Sequence, residues 1–439
     1  MESVETIVKE YQARPLPDVT RRDLKLELKG SLATAIIGMR RSGKTWRLFQ
    51  EMRGFVEKGV NPQHILYINF DDGRFPHGAD AGEALLDEVL ETFFRLNPSA
   101  RKSRAYFFFD EIQEIPDWAR FTRRLIDTEK VKLYVSGSSA KLLSTEIATE
   151  FQCRSLGFEL LPFSFREYLR HLRIAEKPSV LERSEYEHAF SEYLTVGGFP
   201  EAFTQTEAFI RTGLLRSYVD IVVFRDVLER YNLSNVRAVK ELAYTLLAAN
   251  ANLVSMKRLT DQLSARGLTI SREMTAQVCA HFEDAFLVFF APLYSYSLQK
   301  SRVNPQKVYA ADPGLAFALS ASASPNLGQR FENAVYLELR RRFPLLKDHG
   351  ISYYLTQERK EVDFILGDPA QKLPEALFQV CVSLKDKETR TRETSALTAA
   401  MEELGLTTGT IITLYERERI KTPSGIINVR PAWEWFLEA

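Results

Sequence analysis

Along the first 170 residues, short apolar runs alternate with stretches whose apolar side chains recur at helical spacing. The runs at 33–37, 65–70, 106–110 and 132–136 are nearly continuous in apolar residues. Strands covered on both faces read this way, whereas half-exposed strands alternate. The pattern predicts a parallel sheet with helices on both faces. Residues 1–30 predict an N-terminal helix with a polar lead at 21–28. Residues 171–235 are helical and mixed in charge. Three helical patterns follow, at 236–250, after Ser255, and from an N-cap at Ser271 to about residue 290. Residues 293–297 predict a strand, which would act as the wing of a winged helix-turn-helix. From 326 the order is helix, strand, strand, helix, strand. The strands are placed at 361–366 and 378–382.

The first strand runs into Gly38-Met39-Arg40-Arg41-Ser42-Gly43-Lys44-Thr45, and a helix follows. Strand, glycine-bearing loop and helix in that order form a phosphate loop. Gly38 and Gly43 let the backbone wrap a triphosphate, and the loop amides of Arg40, Arg41, Ser42 and Gly43 face its oxygens. Lys44 would reach the β and γ phosphates of ATP, and Thr45 would coordinate Mg²⁺. Arg40 and Arg41 occupy variable positions, so their side chains are expected to face solvent or a neighbouring subunit. The strand at 106–110 ends in Asp110-Glu111. Asp110 is assigned to Mg²⁺ and Glu111 to the attacking water, the arrangement of an ATP hydrolase. Ser136-Gly137-Ser138-Ser139 closes the fourth strand. Ser138 there is either a γ-phosphate sensor or a helix cap.

Composition narrows this reading little. Apolar content is 45%, charged content 26% and formal net charge zero, so nothing global points to nucleic acid. Any DNA contact needs a local patch. Such a patch is expected at Ser271, Arg272, Glu273 and Thr275 for duplex base edges. Lys257, Arg258, Lys300, Arg302 and Lys307 are assigned to phosphates. Three widely spaced cysteines form no metal or disulfide pattern, and with no signal segment or membrane span the chain is expected in the cytoplasm.

The phosphate loop, the Asp-Glu strand, the Gly-Ser-Ser turn and Leu161-Pro162-Phe163-Ser164-Phe165-Arg166-Glu167-Tyr168 occur in that order. Together with Gly197-Gly198-Phe199-Pro200-Glu201 and Asp312-Pro313-Gly314-Leu315, they resemble a family of prokaryotic AAA-type ATPases with an appended domain of unknown function. The resemblance implies an α/β architecture. A P-loop NTPase sheet (1–170) leads to a helical linker (171–235), a winged helix (236–310) and a restriction-endonuclease-like domain (311–439). It also places Arg154 near the γ-phosphate, where it could act as an arginine finger in its own or a neighbouring subunit; a surface ion pair is the alternative. In the C-terminal part Glu332, Asp363 and Gln379 fit the metal-binding positions of a nuclease. The usual lysine two residues beyond Gln379 is replaced by Cys381, with Lys385 further on. On that ground a degenerate site without cleavage is expected. The function expected is Mg-ATP hydrolysis as a conformational switch, with duplex DNA and a second copy of the chain as candidate partners and no membrane. An ATP-gated interaction protein without turnover and an ATP-dependent nuclease are the alternatives.

Overall fold

A computed structural model describes residues 3–26, 33–76, 82–138, 155–175, 183–320, 326–344 and 350–438. The chain divides into two compact units. One comprises Met1–Leu160 with Asp284–Phe286, the other Leu161–Glu283 with Leu287–Ala439.

The first unit is built on a five-stranded sheet in the order β2-β3-β4-β1-β5. Its strands are β1 (Ala33–Ile37), β2 (Ile65–Asn69), β3 (Ala105–Asp110), β4 (Val131–Gly137) and β5 (Ser155–Glu159). Every pair is parallel. The four expected apolar runs are β1 to β4, of which β3, β4 and β1 are inner and β2 lies at one edge. β5 went unforeseen because Ser-Leu-Gly-Phe-Glu alternates, as suits an edge position. Parallel neighbours need crossovers, and α2 (Lys44–Glu57), α3 (Glu83–Leu96) and α4 (Trp118–Thr128) lie between successive strands.

The N-terminal helix is shorter than expected. α1 is Val4–Ala13, capped by Ser3, and buries Val4, Ile7, Val8 and Tyr11. Pro15 and Pro17 stop it. Residues 14–26 carry no regular structure, so the helical lead at 21–28 is not found among the described residues. This segment instead braces the phosphate-loop helix. The Arg22 amide donates to Gln50 Oε1 at 2.7 Å, and Arg47 Nη2 donates to the Leu24 carbonyl at 2.9 Å.

The second unit opens with helices, among them α5 (Arg183–Val196) and α6 (Ala208–Ile221). The expected boundary at 170 falls inside this unit. The Phe163 amide donates to Gly198 O and the Tyr193 hydroxyl to Phe163 O, which fastens 161–171 to the helices. Next come α7 (Val236–Ala248), β6 (Leu253–Val254), α8 (Met256–Ala265), α9 (Arg272–Asp284), β7 (Val288–Ala291) and β8 (Gln306–Ala310). The three strands pair in the order β6-β8-β7. The expected strand at 293–297 is displaced. The third helix stops at Asp284, and the apolar run after it forms β7, because a short apolar run does not distinguish strand from helix by period.

A six-stranded sheet completes the unit, in the order β13-β14-β12-β11-β10-β9. Its members are β9 (Ile351–Leu355), β10 (Glu361–Asp368), β11 (Leu373–Val380), β12 (Thr408–Thr413), β13 (Glu418–Thr422) and β14 (Gly425–Pro431). α10 (Leu327–Arg342) and α11 (Lys387–Leu404) accompany it. Its core gathers Val362, Ile365, Leu377, Leu397, Met401, Ile411 and Ile427.

Candidate functional site

The phosphate loop leaves the carboxyl end of β1, where ligands of open parallel sheets bind. Two glycines are required there. A Cβ on Gly38 would lie 2.2 Å from Leu160 O, and Gly43 has φ 96°. Arg41 also sits at positive φ, 69°. Arg22 Nη1 donates to Ser42 O at 2.8 Å and holds the loop from outside. Lys44, only 4% exposed, donates to the carbonyls of Gly38 at 3.1 Å and Met39 at 3.3 Å. Its ammonium therefore lies under the loop, where a phosphate chain would meet it. The cradle fits a triphosphate. It also fits Mg²⁺, since Thr45 Oγ1 donates to Asp110 Oδ2 at 2.6 Å, joining the two groups expected to hold the metal.

Asp110 and Glu111 are adjacent yet differently placed. Asp110 is fully buried and accepts from three hydroxyls: Thr45, Tyr67 at 2.8 Å and Ser136. Burial, then the neighbouring Glu111 charge, raises its pKa. Glu111 sits at φ 50°, a backbone region rare for residues with side chains, so its carboxylate turns away from the strand. Gln113 Nε2 donates to it at 2.6 Å, and Lys44 Nζ lies 3.6 Å from it. Burial pushes its pKa up, but Lys44 and Arg40 outweigh that and hold it below the ordinary value. It is thus a carboxylate at neutral pH. Arg40 is also paired with Glu114 at 4.0 Å.

The sequence missed Tyr67 and Ser136. The Glu111 amide donates to Ser136 Oγ at 3.3 Å, so Ser136 touches both carboxylate residues. Ser138 is buried. The polar ends of β2 and β4, which flank β3, were the available signal. Arg154 and Ser139 lie outside the described residues.

A second cluster occupies the other unit. The structure brings Glu332 and Asp363 together as expected, and Gln379 accepts from the Asp363 amide at 3.2 Å. The lysine missing beside Cys381 is supplied from β8. Lys307, 3% exposed, has its Nζ 2.9 Å from Glu332, 2.7 Å from Glu361 and 2.9 Å from Asp363. Its assignment to a surface phosphate contact is therefore overturned, as is the ground for expecting a site without a lysine. The Tyr309 hydroxyl donates to Glu332 Oε1 at 2.8 Å. Burial first, then the Asp363 charge, pushes Glu332 up to about 7. Thr275, expected at base edges, is fully buried and donates to the Ser271 carbonyl; Ser271, Arg272 and Glu273 are exposed. Among the described residues no group of three or more His, Cys, Asp or Glu is arranged to hold a metal ion, and none of their helices is long and apolar enough to cross a membrane.

A glycine-built loop at the carboxyl end of a parallel sheet, with paired carboxylates on a nearby strand, defines a P-loop fold of the AAA ATPase type. The family profile described as an AAA domain matches residues 31–169, and one described as a domain of unknown function (DUF8612) matches 187–326. An uncharacterized protein of Methanocaldococcus jannaschii, MJ1544, is 31% identical over 439 residues, which covers 99% of this chain and 94% of that one. The chain belongs to its family, in which an AAA-type ATPase domain precedes this second domain. An uncharacterized protein of Haemophilus influenzae is 27% identical over 78% of this chain and 80% of its own length. Among solved structures, the Walker-type ATPase PABY2304 of Pyrococcus abyssi aligns at 15% identity and TM-score 0.42, covering 70% of this chain and 99% of that one. The Aeropyrum pernix ORC1 protein in complex with DNA aligns at 15% identity and TM-score 0.29, covering 66% and 86%.

Proposed function

We propose that the protein binds Mg-ATP, hydrolyses it, and uses turnover to switch its conformation on duplex DNA. The observation that carries the reading is the meeting of Lys44, Thr45, Asp110 and Glu111 at one strand end, with Glu111 held ionised. The loop amides and Lys44 bind the triphosphate. Thr45 and Asp110 hold Mg²⁺, which neutralises charge on the phosphates when bound. Tyr67 and Ser136 fix the Asp110 carboxylate in position. Glu111 accepts the proton of the attacking water, and its bond to Gln113 orients it until substrate arrives. Arg154 is the candidate for charge developing on the γ-phosphate.

The DNA part rests on topology and exposure. Helix, strand, two helices and two strands, the last two joined through a short helix at Leu298–Val303 and the last one central, follow the order of a winged helix, and the start of α9 presents Ser271, Arg272 and Glu273 to solvent. We assign duplex binding to that helix. Steady-state ATP turnover with and without duplex DNA tests both parts. Stimulation that disappears in Arg272→Glu supports them; turnover indifferent to DNA removes the DNA assignment and leaves the ATPase.

A further inference from the structure

We propose that Arg22, from the segment ahead of β1, is a positioning residue of the phosphate loop: it turns the Ser42–Gly43 peptide so that the Gly43 amide faces the nucleotide. The proposal rests on the reading of the loop as a phosphate cradle and adds to it a residue from outside the loop.

The argument begins with the loop's carbonyls. A cradle for phosphate needs amides turned inward and carbonyls turned outward, and each carbonyl withdrawn from water needs a donor. Lys44 serves Gly38 O and Met39 O, and the Ser42 amide also donates to Met39 O at 3.2 Å. The Arg47 amide donates to Gly43 O at 3.0 Å, where α2 begins. These donors come from the loop and its helix. The Ser42 carbonyl instead takes Arg22 Nη1, at 2.8 Å. In a planar trans peptide the carbonyl and the amide point to opposite sides. Holding Ser42 O on the Arg22 side therefore turns the Gly43 N–H away from Arg22 and toward the cradle. The guanidinium is always charged, and a cation on the carbonyl polarises the peptide and strengthens its N–H as a donor.

The second observation is the fit at Gly43. Its φ of 96° already favours glycine, and a Cβ there would lie 3.1 Å from Arg22 Nη1. One glycine thus admits both the turn of the loop and the guanidinium behind it.

The third is that Arg22 is itself fixed. It is 4% exposed. Its amide donates to Gln50 Oε1 at 2.7 Å, and Gln50 Nε2 donates back to its carbonyl at 3.2 Å. Two residues on, Leu24 O accepts from Arg47 Nε at 3.2 Å and Nη2 at 2.9 Å. Side chains of α2, the helix that the loop opens, therefore set the register of the segment that reaches back to the loop. Arg53 Nη1 ties the same segment to the same helix at Pro17 O, 3.1 Å, without touching the loop.

The Gly43 amide would meet a phosphate oxygen in the bound nucleotide and in the transition state alike. Such a contact lowers KM and leaves kcat unchanged. The test is steady-state Mg-ATP hydrolysis and ADP titration with the full chain. Arg22→Ala should raise the KM for ATP and the Kd for ADP about 10-fold, with kcat within about twofold of wild type. Arg22→Lys, which keeps a charged donor, and millimolar guanidinium added to Arg22→Ala should each recover affinity, whereas sodium chloride at the same ionic strength should not. Arg53→Ala should match wild type. Unchanged KM in Arg22→Ala overturns the proposal, as does a fall in kcat alone, recovery by neither lysine nor guanidinium, or an equal loss in Arg53→Ala. If Arg22→Ala fails to fold, Gln50→Ala decides, since it frees the Arg22 backbone and keeps its charge. A raised KM at unchanged melting temperature supports the assignment, and an unchanged KM overturns it. A wild type that neither binds nor hydrolyses ATP removes the ATP reading and this proposal together; variants indistinguishable from an active wild type remove this proposal alone.

Discussion

Asp110 and Glu111 share a peptide bond and little else. One is sealed among hydroxyls, while the other is turned out by a positive φ toward Lys44 and Gln113. Their roles should separate accordingly. Glu111→Gln should leave ATP and Mg²⁺ binding near wild type and slow hydrolysis about 100-fold or more, since it removes only the proton acceptor; nucleotide titration and single-turnover rates measure the two effects. Asp110→Asn should instead raise the Mg²⁺ concentration needed for binding. Ser136→Ala leaves the buried carboxylate short of one donor, at a cost of about 1–3 kcal/mol to the ordered site. A several-fold higher Mg²⁺ requirement at unchanged maximal binding is its expected mark. Residues contiguous in sequence, such as Gly38 to Thr45, were legible because one segment carries the chemistry. Ser136, Tyr67 and Lys307 were not, because each acts on a residue of a different element and no spacing announces it.

At the scale of elements, two short motifs turn out to be one joint. The Asp312 carboxylate accepts from the Gly198 amide at 2.6 Å and the Gly314 amide at 2.8 Å. Gly197 stands at φ 78°, where a Cβ would lie 1.9 Å from Asp312 Oδ1. Gly197→Ala should therefore cost more than about 2 kcal/mol in denaturant unfolding, from the left-handed backbone and the overlap together. Burial pushes Asp312 up from 3.8 to about 6. The folded chain thus holds this proton more tightly than the unfolded chain. The stability it contributes is complete below about pH 4 and lost as pH rises through 6. Relative to Asp312→Asn, the wild type should lose about 3 kcal/mol between pH 4 and 7 in urea unfolding; a flat difference would show the carboxylate is ionised throughout. The sequence marked both turns without showing that they meet, as the residues lie far apart in the chain. It also marked four of the five strands of the first sheet, β1 to β4, since strands covered on both faces need continuous apolar runs. β7 was lost inside a predicted helix for the same reason: its apolar run has no period of its own.

At the scale of the molecule, zero net charge leaves recognition to local surfaces, and the surface proposed for it is the exposed start of α9. Four divisions are expected from the sequence; the chain forms two compact units, and helices, three-stranded sheet and six-stranded sheet lie in the same one. A pattern read along the chain finds elements, but not which of them share a core. The central claim concerns the first unit, and steady-state hydrolysis of Mg-ATP by the full chain and by Lys44→Ala tests it most directly. Lys44 donates to the carbonyls beneath the loop, where its charge would meet the β and γ phosphates. Losing that charge-assisted contact is worth about 2–3 kcal/mol, roughly 30- to 150-fold in affinity. The account predicts phosphate release by the wild type that requires Mg²⁺ and falls to background in the variant. Equal release by both, or none by a wild type that binds ATP, would contradict it.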